Sequence, residues 1–388
     1  MKKKELSKLM NKEKNLIILA IDTSCDDTSV AVLRDRSVLS SVVSSQVELH
    51  KKWGGVVPDI ARRAHTENIG KVYQEAIKRA GINEKEIDYV AVTYGPGLAI
   101  ALEVGINFAR ELSKKLGIKV VKINHMEGHM LSSFLLNRNK KGKLEIFNNK
   151  QIFPALALLV SGNHTEIVFI EKIGQYKILG ETLDDASGEA FDKVARMMNL
   201  GYPGGPILTL LADKASKKWS DKNLGFLERE GKKSIREISG RFGLTIPMIY
   251  SKDMNFSFSG IKTACLYKIR DLRERYEKDT DWSYDLSREF INAVSKSLST
   301  KLQKAMDIYP SVKSVFIGGG VSNNKYIIRE IGDLARTAGK NYFMPEIRFR
   351  SDNAAMIGIA AYYNILDKKN ILTKQEVLKF DRDPMLKL

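Results

Sequence analysis

Short apolar runs separated by polar turns open the chain, and a similar set returns farther along. Each run has the length and the β-branched content typical of a strand, and the intervening residues are turn formers. Each set of three predicts an antiparallel meander, so the sequence contains this meander twice. The six predicted strands lie at 16–22, 29–33, 37–43, 155–160, 166–170 and 176–182.

Each meander is followed by a helical segment and then by an apolar strand that runs into glycines, at 89–97 and at 315–320. The order strand, strand, strand, helix, strand therefore occurs twice. This duplication is typical of the two-lobed α/β fold shared by actin, sugar kinases and the heat-shock ATPases, in which a nucleotide binds in a cleft between the lobes. The predicted organisation is a basic tail at 1–14, a first lobe at 15–124 with 353–375, and a second lobe at 125–352.

A charged segment at 212–255 interrupts the second copy of the pattern. It forms either a solvated surface or a patch that faces RNA. The whole chain has 63 Lys and Arg against 46 Asp and Glu, a net charge of +17. Such an excess attracts polyanions such as nucleic acid, although a Lys-rich surface also serves solubility. Charge alone leaves both interpretations open.

The chain lacks the marks of export or membrane insertion. The longest apolar runs fall short of the roughly 20 residues that a membrane helix needs. The Lys-rich start carries Glu5 and Glu13 and lacks a cleavage site, so it predicts a tail and not a signal or transit peptide. Cys25 and Cys265 have no nearby cysteine partner, which favours a reducing compartment. We therefore expect a soluble cytoplasmic protein.

Three glycine-rich junctions between strands and helices could hold a phosphate group. They lie at 318–324, ahead of a predicted helix at 325–335, and at 94–97 and 202–206. Glycines let the backbone approach an anion, and free N–H groups at a helix start point toward it. Asn324 could bind a ribose or a base. Glycines also simply close tight turns, and no P-loop sequence is present, so bound nucleotide is expected in the cleft.

Two histidines have the spacing of a metal-binding pair. His125 and His129 lie four residues apart, so on a helix they share a face and can chelate one ion. Asp352, ahead of an apolar helix at 354–365, is the candidate third ligand. This donor set suits iron(II) or zinc and does not decide between them. Glu127 would point away from the ion, so a zinc-peptidase base is missing.

The chain resembles the TsaD family, the tRNA adenosine threonylcarbamoyltransferases, from 18 to about 365. The resemblance is carried by motifs that occur in the family's order. These are IDTSCDDTSVAV, GGVVPDIARRAH, YGPGLAIALEVG, NHMEGH, LLVSGNHTE, TLDDASGEAFDKVARMMNLGYPGGP, FSFSGIKTA, GGGVSNNKY and SDNAAMIG.

The resemblance implies transfer of a threonylcarbamoyl group from threonylcarbamoyl-adenylate to N6 of the adenosine beside the anticodon, in tRNAs reading codons that begin with A. It implies His125, His129 and Asp352 as metal ligands, and TsaB-like and TsaE-like partner proteins. Asn163 and Thr209 depart from the usual glycine and acidic residue of the family. The implied adenylate-binding residues are Leu159, Val160, Ser161, Gly162, Asn163, Asp192, Gly205, Thr209 and Asn324.

An exocyclic adenine amine is a poor nucleophile, so the acyl donor must be activated, and a mixed anhydride with AMP supplies a good leaving group. The expected contribution of the protein is to position the reactants and polarise the acyl group. Asp26 either accepts the amine proton or only fixes the first hairpin turn; His65 and Lys262 are unassigned. The alternatives are a small-molecule kinase of the same fold and a partner-binding paralogue without activity, which should lack the histidine pair.

Overall fold

The computed structural model describes residues 15–137, 149–215, 228–229, 232–233, 241–246, 248–275 and 281–388. Contacts between residues divide the chain into two compact units. Unit 1 comprises the described residues of Met1–Leu49, Val56–Ile152 and Pro345–Leu388. Unit 2 comprises those of His50–Gly55 and Phe153–Met344, so it is inserted into the sequence of unit 1.

A six-stranded sheet forms the centre of unit 1, in the order β5-β4-β1-β2-β3-β6. The first three strands are antiparallel, whereas β4 runs parallel to β1 and β5 runs parallel to β4. Parallel neighbours place the ends of β1, β4 and β5 at one edge of the sheet. The strands are β1 Ile17–Asp22, β2 Asp27–Arg34, β3 Ser37–Ser45, β4 Tyr89–Gly95, β5 Lys119–Asn124 and β6 Leu136–Asn137.

Helices Pro58–Ala80 and Ala99–Leu116 pack on one face of this sheet, where Leu19 and Ile21 belong to the core. Successive strand residues point to opposite faces, and helix Ala354–Leu366 covers the other face, with Gly358 against Leu33. Helix Ala354–Leu366 also contacts the short helix His125–Leu131. Three more short helices are Val47–Lys51, Asn149–Ile152 and Lys374–Lys379.

Unit 2 repeats this arrangement with a five-stranded sheet in the order β13-β12-β7-β8-β9. Its meander is antiparallel, β12 runs parallel to β7, and β13 runs parallel to β12. The strands are β7 Ala155–Val160, β8 Thr165–Lys172, β9 Gln175–Glu181, β12 Ser314–Gly318 and β13 Asn341–Phe343, and a separate ribbon pairs β10 Glu228–Arg229 with β11 Lys232–Lys233. The helices are Ser187–Met197, Gly204–Ala212, Ser259–Arg275, Trp282–Ile308 and Lys325–Thr337.

The sheet orders confirm the duplication predicted from the sequence. In unit 1 the order of the first five strands is 5-4-1-2-3, and the five strands of unit 2 follow the same order. All six predicted meander strands are present, each within a few residues of its predicted bounds. The chain is therefore built from two copies of one α/β plan, each with its own hydrophobic core.

One predicted junction has a different structure. The glycines at 202–206 are predicted to form a junction that could hold phosphate, whereas Gly204 and Gly205 begin the helix Gly204–Ala212. Pro206 lies in the first turn of this helix, where a missing N–H group costs no hydrogen bond. Because glycine and proline are also typical of turns, the local sequence does not indicate that a helix begins here.

Unit 1 also contains the described residues of 125–152 and 345–352, which the sequence analysis places in the second lobe. The strand β5 leads directly into helix His125–Leu131, which keeps that helix with the first sheet. The tail at 1–14 and half of the charged segment at 212–255 lie outside the described residues. Within the part of the chain that the structure describes, no helix is both long and apolar enough to cross a membrane.

Candidate metal centre and loop cluster

The two histidines lie on one face of the short helix that follows β5. Asn124 caps this helix, because its side-chain oxygen accepts hydrogen bonds from the N–H groups of Met126 at 2.8 Å and Glu127 at 3.3 Å. The rings of His125 and His129 stand nearly perpendicular, with centroids 4.7 Å apart. Both side chains are buried. The i and i+4 spacing therefore brings two imidazoles together, as predicted.

Asp352 reaches both imidazoles with one oxygen atom. Its Oδ1 lies 3.1 Å from Nε2 of His129 and 3.5 Å from Nε2 of His125. The ligand atoms of the three residues all lie within 4.8 Å of one another. Two buried imidazole nitrogens and a carboxylate oxygen at this spacing are a donor set for one divalent ion.

The loop that carries Asp352 is fixed by the start of the following helix. Asn353 caps helix Ala354–Leu366 by accepting a hydrogen bond from the N–H group of Met356 at 3.1 Å. The N–H group of Ala354 donates to the hydroxyl of Ser29 on β2 at 2.8 Å. The carboxylate is thus held by two elements of the same unit.

A fourth side chain, which the sequence analysis did not single out, faces the same centre. Asp22 ends β1, and its Oδ1 lies 3.5 Å from Nδ1 of His125. Neither atom has a hydrogen-bond partner with good geometry among the described residues. A carboxylate at Nδ1 leaves Nε2 as the ligand nitrogen, as outer-shell carboxylates do in many histidine metal sites. The sequence signal for Asp22 is its place at the end of an apolar run, which forms the fully buried strand β1.

The electrostatics of the centre favour a positive charge. Burial opposes protonation of His125, but the carboxylates of Asp352 and Asp22 outweigh it and raise its pKa to about 10. Burial also opposes ionisation of Asp352, whereas the two histidines hold its pKa well below the usual value. A cation bound between these groups would supply the same neutralisation, so the residues fit a divalent metal ion.

Glu127 does not take part in this centre. Its Oε2 accepts a hydrogen bond from the side-chain amide of Asn364 at 3.1 Å, on helix Ala354–Leu366. It is buried in contact with a neighbouring helix. Its role is therefore to fix the helix that bears the histidines.

The turn between β1 and β2 is held by His65. The Nε2 atom of His65 lies 3.0 Å from the carbonyl oxygen of Cys25, and its Nδ1 lies 2.8 Å from the hydroxyl of Thr28. His65 is fully buried. These contacts give His65, which the sequence left unassigned, a positioning role for the residues that follow Cys25.

That turn also carries Asp26, and Asp27 follows it as the first residue of β2. The backbone carbonyl of Asp26 accepts a hydrogen bond from the N–H group of Gln46 at 3.0 Å. Asp27 Oδ1 is buried without a hydrogen-bond partner among the described residues. Burial raises the pKa of Asp27 to about 7, although a hydrogen bond from Ser45 opposes the shift. Asp27 is thus a second candidate proton acceptor that the sequence analysis missed.

In unit 2, the residues 159–163 form the end of β7 and the turn into β8. The side chains of Leu159 and Val160 are fully buried, so they shape the core. The carbonyl oxygens of Ser161 and Gly162 accept hydrogen bonds from the N–H groups of Gly188 at 3.2 Å and Glu189 at 3.0 Å. Backbone N–H groups in the first turn of helix Ser187–Met197 are therefore hydrogen-bonded to residues 161–162.

The other predicted binding residues of unit 2 form a chain of contacts. Asp192 accepts a hydrogen bond from the N–H group of Gly204 at 2.7 Å. The hydroxyl of Thr209 donates to the carbonyl of Gly205 at 2.8 Å and accepts from the side-chain amide of Asn324 at 3.0 Å. Thr209 and Asn324 thus bind each other here.

Lys262 also gains a partner. Its Nζ lies 2.6 Å from Asp185, which Lys193 approaches to 2.6 Å as well. The two lysines hold the pKa of Asp185 below its usual value, although burial opposes the shift. This ion-pair cluster ties helix Ser259–Arg275 to helix Ser187–Met197.

Comparison with known proteins gives consistent results. Residues 37–359 match the family model described as tRNA N6-adenosine threonylcarbamoyltransferase. Similar curated proteins of that name occur in Thermosipho africanus (41% identity over 89% of this chain and 94% of that protein) and Clostridioides difficile (40% identity, 92% and 95%). The relative in Bacillus subtilis is 38% identical over 90% of this chain and 91% of its own length.

Solved structures with low sequence identity share the fold. Full-length HypF in a phosphate- and nucleotide-bound form has a TM-score of 0.52 at 12% identity, covering 92% of this chain and 47% of that one. HypF of T. kodakarensis has a TM-score of 0.51 at 13% identity, covering 95% of this chain and 50% of that one. The duplicated α/β architecture is therefore an established fold.

Proposed function

The chain belongs to the TsaD family of tRNA N6-adenosine threonylcarbamoyltransferases, and from this membership we propose how its residues carry out the reaction. The enzyme is an acyltransferase that forms threonylcarbamoyladenosine in tRNA. The proposed donor is threonylcarbamoyl-adenylate. The proposed acceptor is N6 of the adenosine beside the anticodon, in tRNAs that read codons beginning with A.

His125, His129 and Asp352 are the proposed ligands of one divalent ion, iron(II) in preference to zinc. The observation that supports this assignment is the single Asp352 oxygen that lies within 3.5 Å of both imidazole Nε2 atoms. An ion bound there supplies Lewis acidity, which stabilises negative charge on an oxygen of the acyl group. Asp22 orients His125 through Nδ1.

The nine residues of unit 2 implied by the family are the proposed adenylate site. The turn at 161–163 is supported by its hydrogen bonds to helix Ser187–Met197, which hold it in a fixed conformation. The pair of Thr209 and Asn324 would exchange its mutual hydrogen bond for bonds to the nucleotide. Such rigid positioning is the main contribution a protein can make when the donor is already activated.

A carboxylate in the turn after β1 is the proposed proton acceptor for the adenine amine. Asp26 is the residue inferred from the sequence. Asp27 is supported by its buried, unpartnered oxygen and by a pKa near 7, since a base works best when its pKa lies near the operating pH.

The proposal includes tRNA and TsaB-like and TsaE-like proteins as partners, and a cytoplasmic location. The family match does not favour the small-molecule kinase. A paralogue that has lost activity should lack the histidine pair, whereas both histidines and Asp352 are present and adjacent.

The decisive experiment compares wild type with the His125→Ala, His129→Ala double variant. The protein and its partners are incubated with unmodified tRNA, threonine, bicarbonate and ATP, and nucleosides are analysed by mass spectrometry. We expect the variant to lose bound metal and product while its circular dichroism spectrum is retained. Full product formation by the metal-free variant would contradict the proposal. Asp352→Asn, which keeps the side-chain shape, should weaken metal binding in the same way.

A further inference from the structure

Residues 383–388, here called the C-terminal strap, cross the loop that follows β4. The N–H group of Asp383 donates to the carbonyl of Tyr94 at 2.7 Å, and the N–H group of Gly97 donates to the carbonyl of Pro384 at 3.3 Å. The strap is thus hydrogen-bonded to both ends of the loop Tyr94 to Gly97.

Gly95 makes room for this crossing. A Cβ atom at Gly95 would lie 1.8 Å from the carbonyl oxygen of Asp383 and 3.0 Å from Cβ of Leu386. The first of these neighbours is backbone, which cannot move aside as a flexible side chain can. The close approach of strap and loop therefore depends on a glycine at this position.

The strap also contacts Asn124, the residue that caps helix His125–Leu131. The side-chain N–H of Asn124 donates to the carbonyl of Lys387 at 3.2 Å. The oxygen of the same amide caps the helix through Met126 and Glu127. Both ends of the Asn124 amide are therefore engaged, and its orientation is coupled to the strap.

The other side of the loop contacts the turn that follows Asp22. The N–H group of Leu98 donates to the carbonyl of Ser24 at 2.8 Å, and the hydroxyl of Ser24 donates to Asp22 at 3.4 Å. The loop is therefore held between the strap and the turn that carries the partner of His125.

We propose that the C-terminal strap positions the metal centre, by orienting Asn124 at the start of the histidine helix and by supporting the loop that contacts Ser24. The inference rests on the proposed metal site for its functional meaning. The coupling between strap and helix is independent of it, because it consists of hydrogen bonds among the protein's own residues.

Truncation after Arg382 removes the strap and leaves the upstream segment anchored. That segment is held by Arg110, which donates to the carbonyls of Val377 and Phe380 and stacks on the Phe380 ring. In metal-free protein, we expect faster hydrogen exchange at the amides of 126–131, with the strands of unit 2 unchanged. In a cobalt(II) titration followed by absorption, we expect the dissociation constant to rise about tenfold, the lower end of outer-shell effects.

Two point variants test whether the strap acts through its contacts with the loop and with Asn124. Gly95→Ala should displace the strap and reproduce the truncation. Asn124→Ser keeps a capping oxygen but cannot reach Lys387, so it should weaken cobalt binding, and combining it with the truncation should add little. Met385→Ala is the matched control, because its side chain is 83% exposed. It should leave both readouts unchanged.

The possible results distinguish failure of the strap proposal from failure of the metal assignment. Unchanged exchange at 126–131 and unchanged cobalt affinity after truncation would overturn the strap proposal. Accelerated exchange throughout the protein would also overturn it, because the strap would then serve only general stability. Failure of wild type to bind cobalt, with exchange still faster in the truncated chain, would instead remove the metal assignment and leave the coupling intact.

Discussion

Carboxylates dominate the chemistry of unit 1 at the scale of single residues. Asp22 and Asp352 face His125 from its two nitrogen atoms, and the Oδ1 atom of Asp27 is buried at the start of β2. Removing charged groups from water is costly unless each finds a counter-charge. The proton on His125 provides part of that compensation in the absence of a metal ion, whereas Asp27 keeps its own proton below about pH 7.

Stability of the metal-free protein should therefore depend on pH through Asp27. Its pKa of about 7 means that folded protein keeps this proton between about pH 4 and pH 7, where the unfolded chain has released it. The free energy of unfolding should fall as pH rises through this window, by at most about 1.4 kcal/mol per pH unit, and this contribution should be constant above it.

Urea unfolding of wild type and Asp27→Asn, both with chelator, measures this contribution as the difference between the two proteins at each pH. The variant has no titrating group at position 27 and resembles the protonated carboxyl, so the free energy of unfolding of wild type minus that of the variant should fall steadily as pH rises toward 7. A difference that stays constant from pH 5 to pH 8 would show that Asp27 titrates normally.

The sequence predicted the histidine pair because a helix repeats at 3.6 residues and fixes their common face. It could not show that Asp352 meets them, since their approach depends on how helix Ala354–Leu366 packs across the sheet. Asp22 was missed for a similar reason. An aspartate at the end of a strand is common, and only the parallel arrangement of β1, β4 and β5 brings it to the start of the histidine helix.

At the scale of elements, glycines set how closely loops approach one another in unit 2. Gly319 follows β12 with φ of 91°, and a Cβ atom there would lie 2.3 Å from the carbonyl of Val160. Gly320 has no atom within 4 Å of its hypothetical Cβ. Two adjacent glycines in one motif therefore have different structural requirements.

Gly319→Ala should destabilise the protein by about 1–3 kcal/mol, since it combines an unfavourable backbone angle with an overpacked contact. Gly320→Ala is the neighbouring control and should change stability by less than about 1 kcal/mol. Thermal unfolding measures both, and binding of a non-hydrolysable adenylate analogue should weaken in the first variant only. Equal melting temperatures for the two variants would contradict this account.

The strand pattern was predictable because alternating and continuous apolar runs are properties of the local sequence. Helix Gly204–Ala212 was not, because its stability depends on Asp192 accepting from its first N–H group and on Leu208 entering the core. The local sequence, with two glycines and a proline, favours a turn. Tertiary contacts decided the structure here.

At the scale of the whole molecule, the net charge of +17 favours binding of a tRNA substrate, because tRNA is a polyanion. Binding of a polyanion by cationic side chains releases counterions, so affinity falls as salt concentration rises. We expect tRNA affinity to drop by at least about tenfold between about 50 mM and about 200 mM salt. Fluorescence anisotropy with labelled tRNA measures this dependence.

A tRNA that reads codons beginning with another base carries the same phosphate charge and serves as control. Its affinity should weaken in parallel with that of the substrate tRNA, since the electrostatic part of binding is independent of sequence. Salt-independent binding would show that the excess of Lys and Arg serves solubility and does not contact the nucleic acid.

The position of the larger segment of unit 2, Phe153–Met344, between two segments of unit 1 has a consequence for biosynthesis. His129 and Asp352 are 223 positions apart, and every residue of unit 2 from Phe153 onward is translated between them. His125 and His129 are therefore synthesised long before this carboxylate. The complete donor set of the proposed metal site forms only after all of unit 2 has been translated.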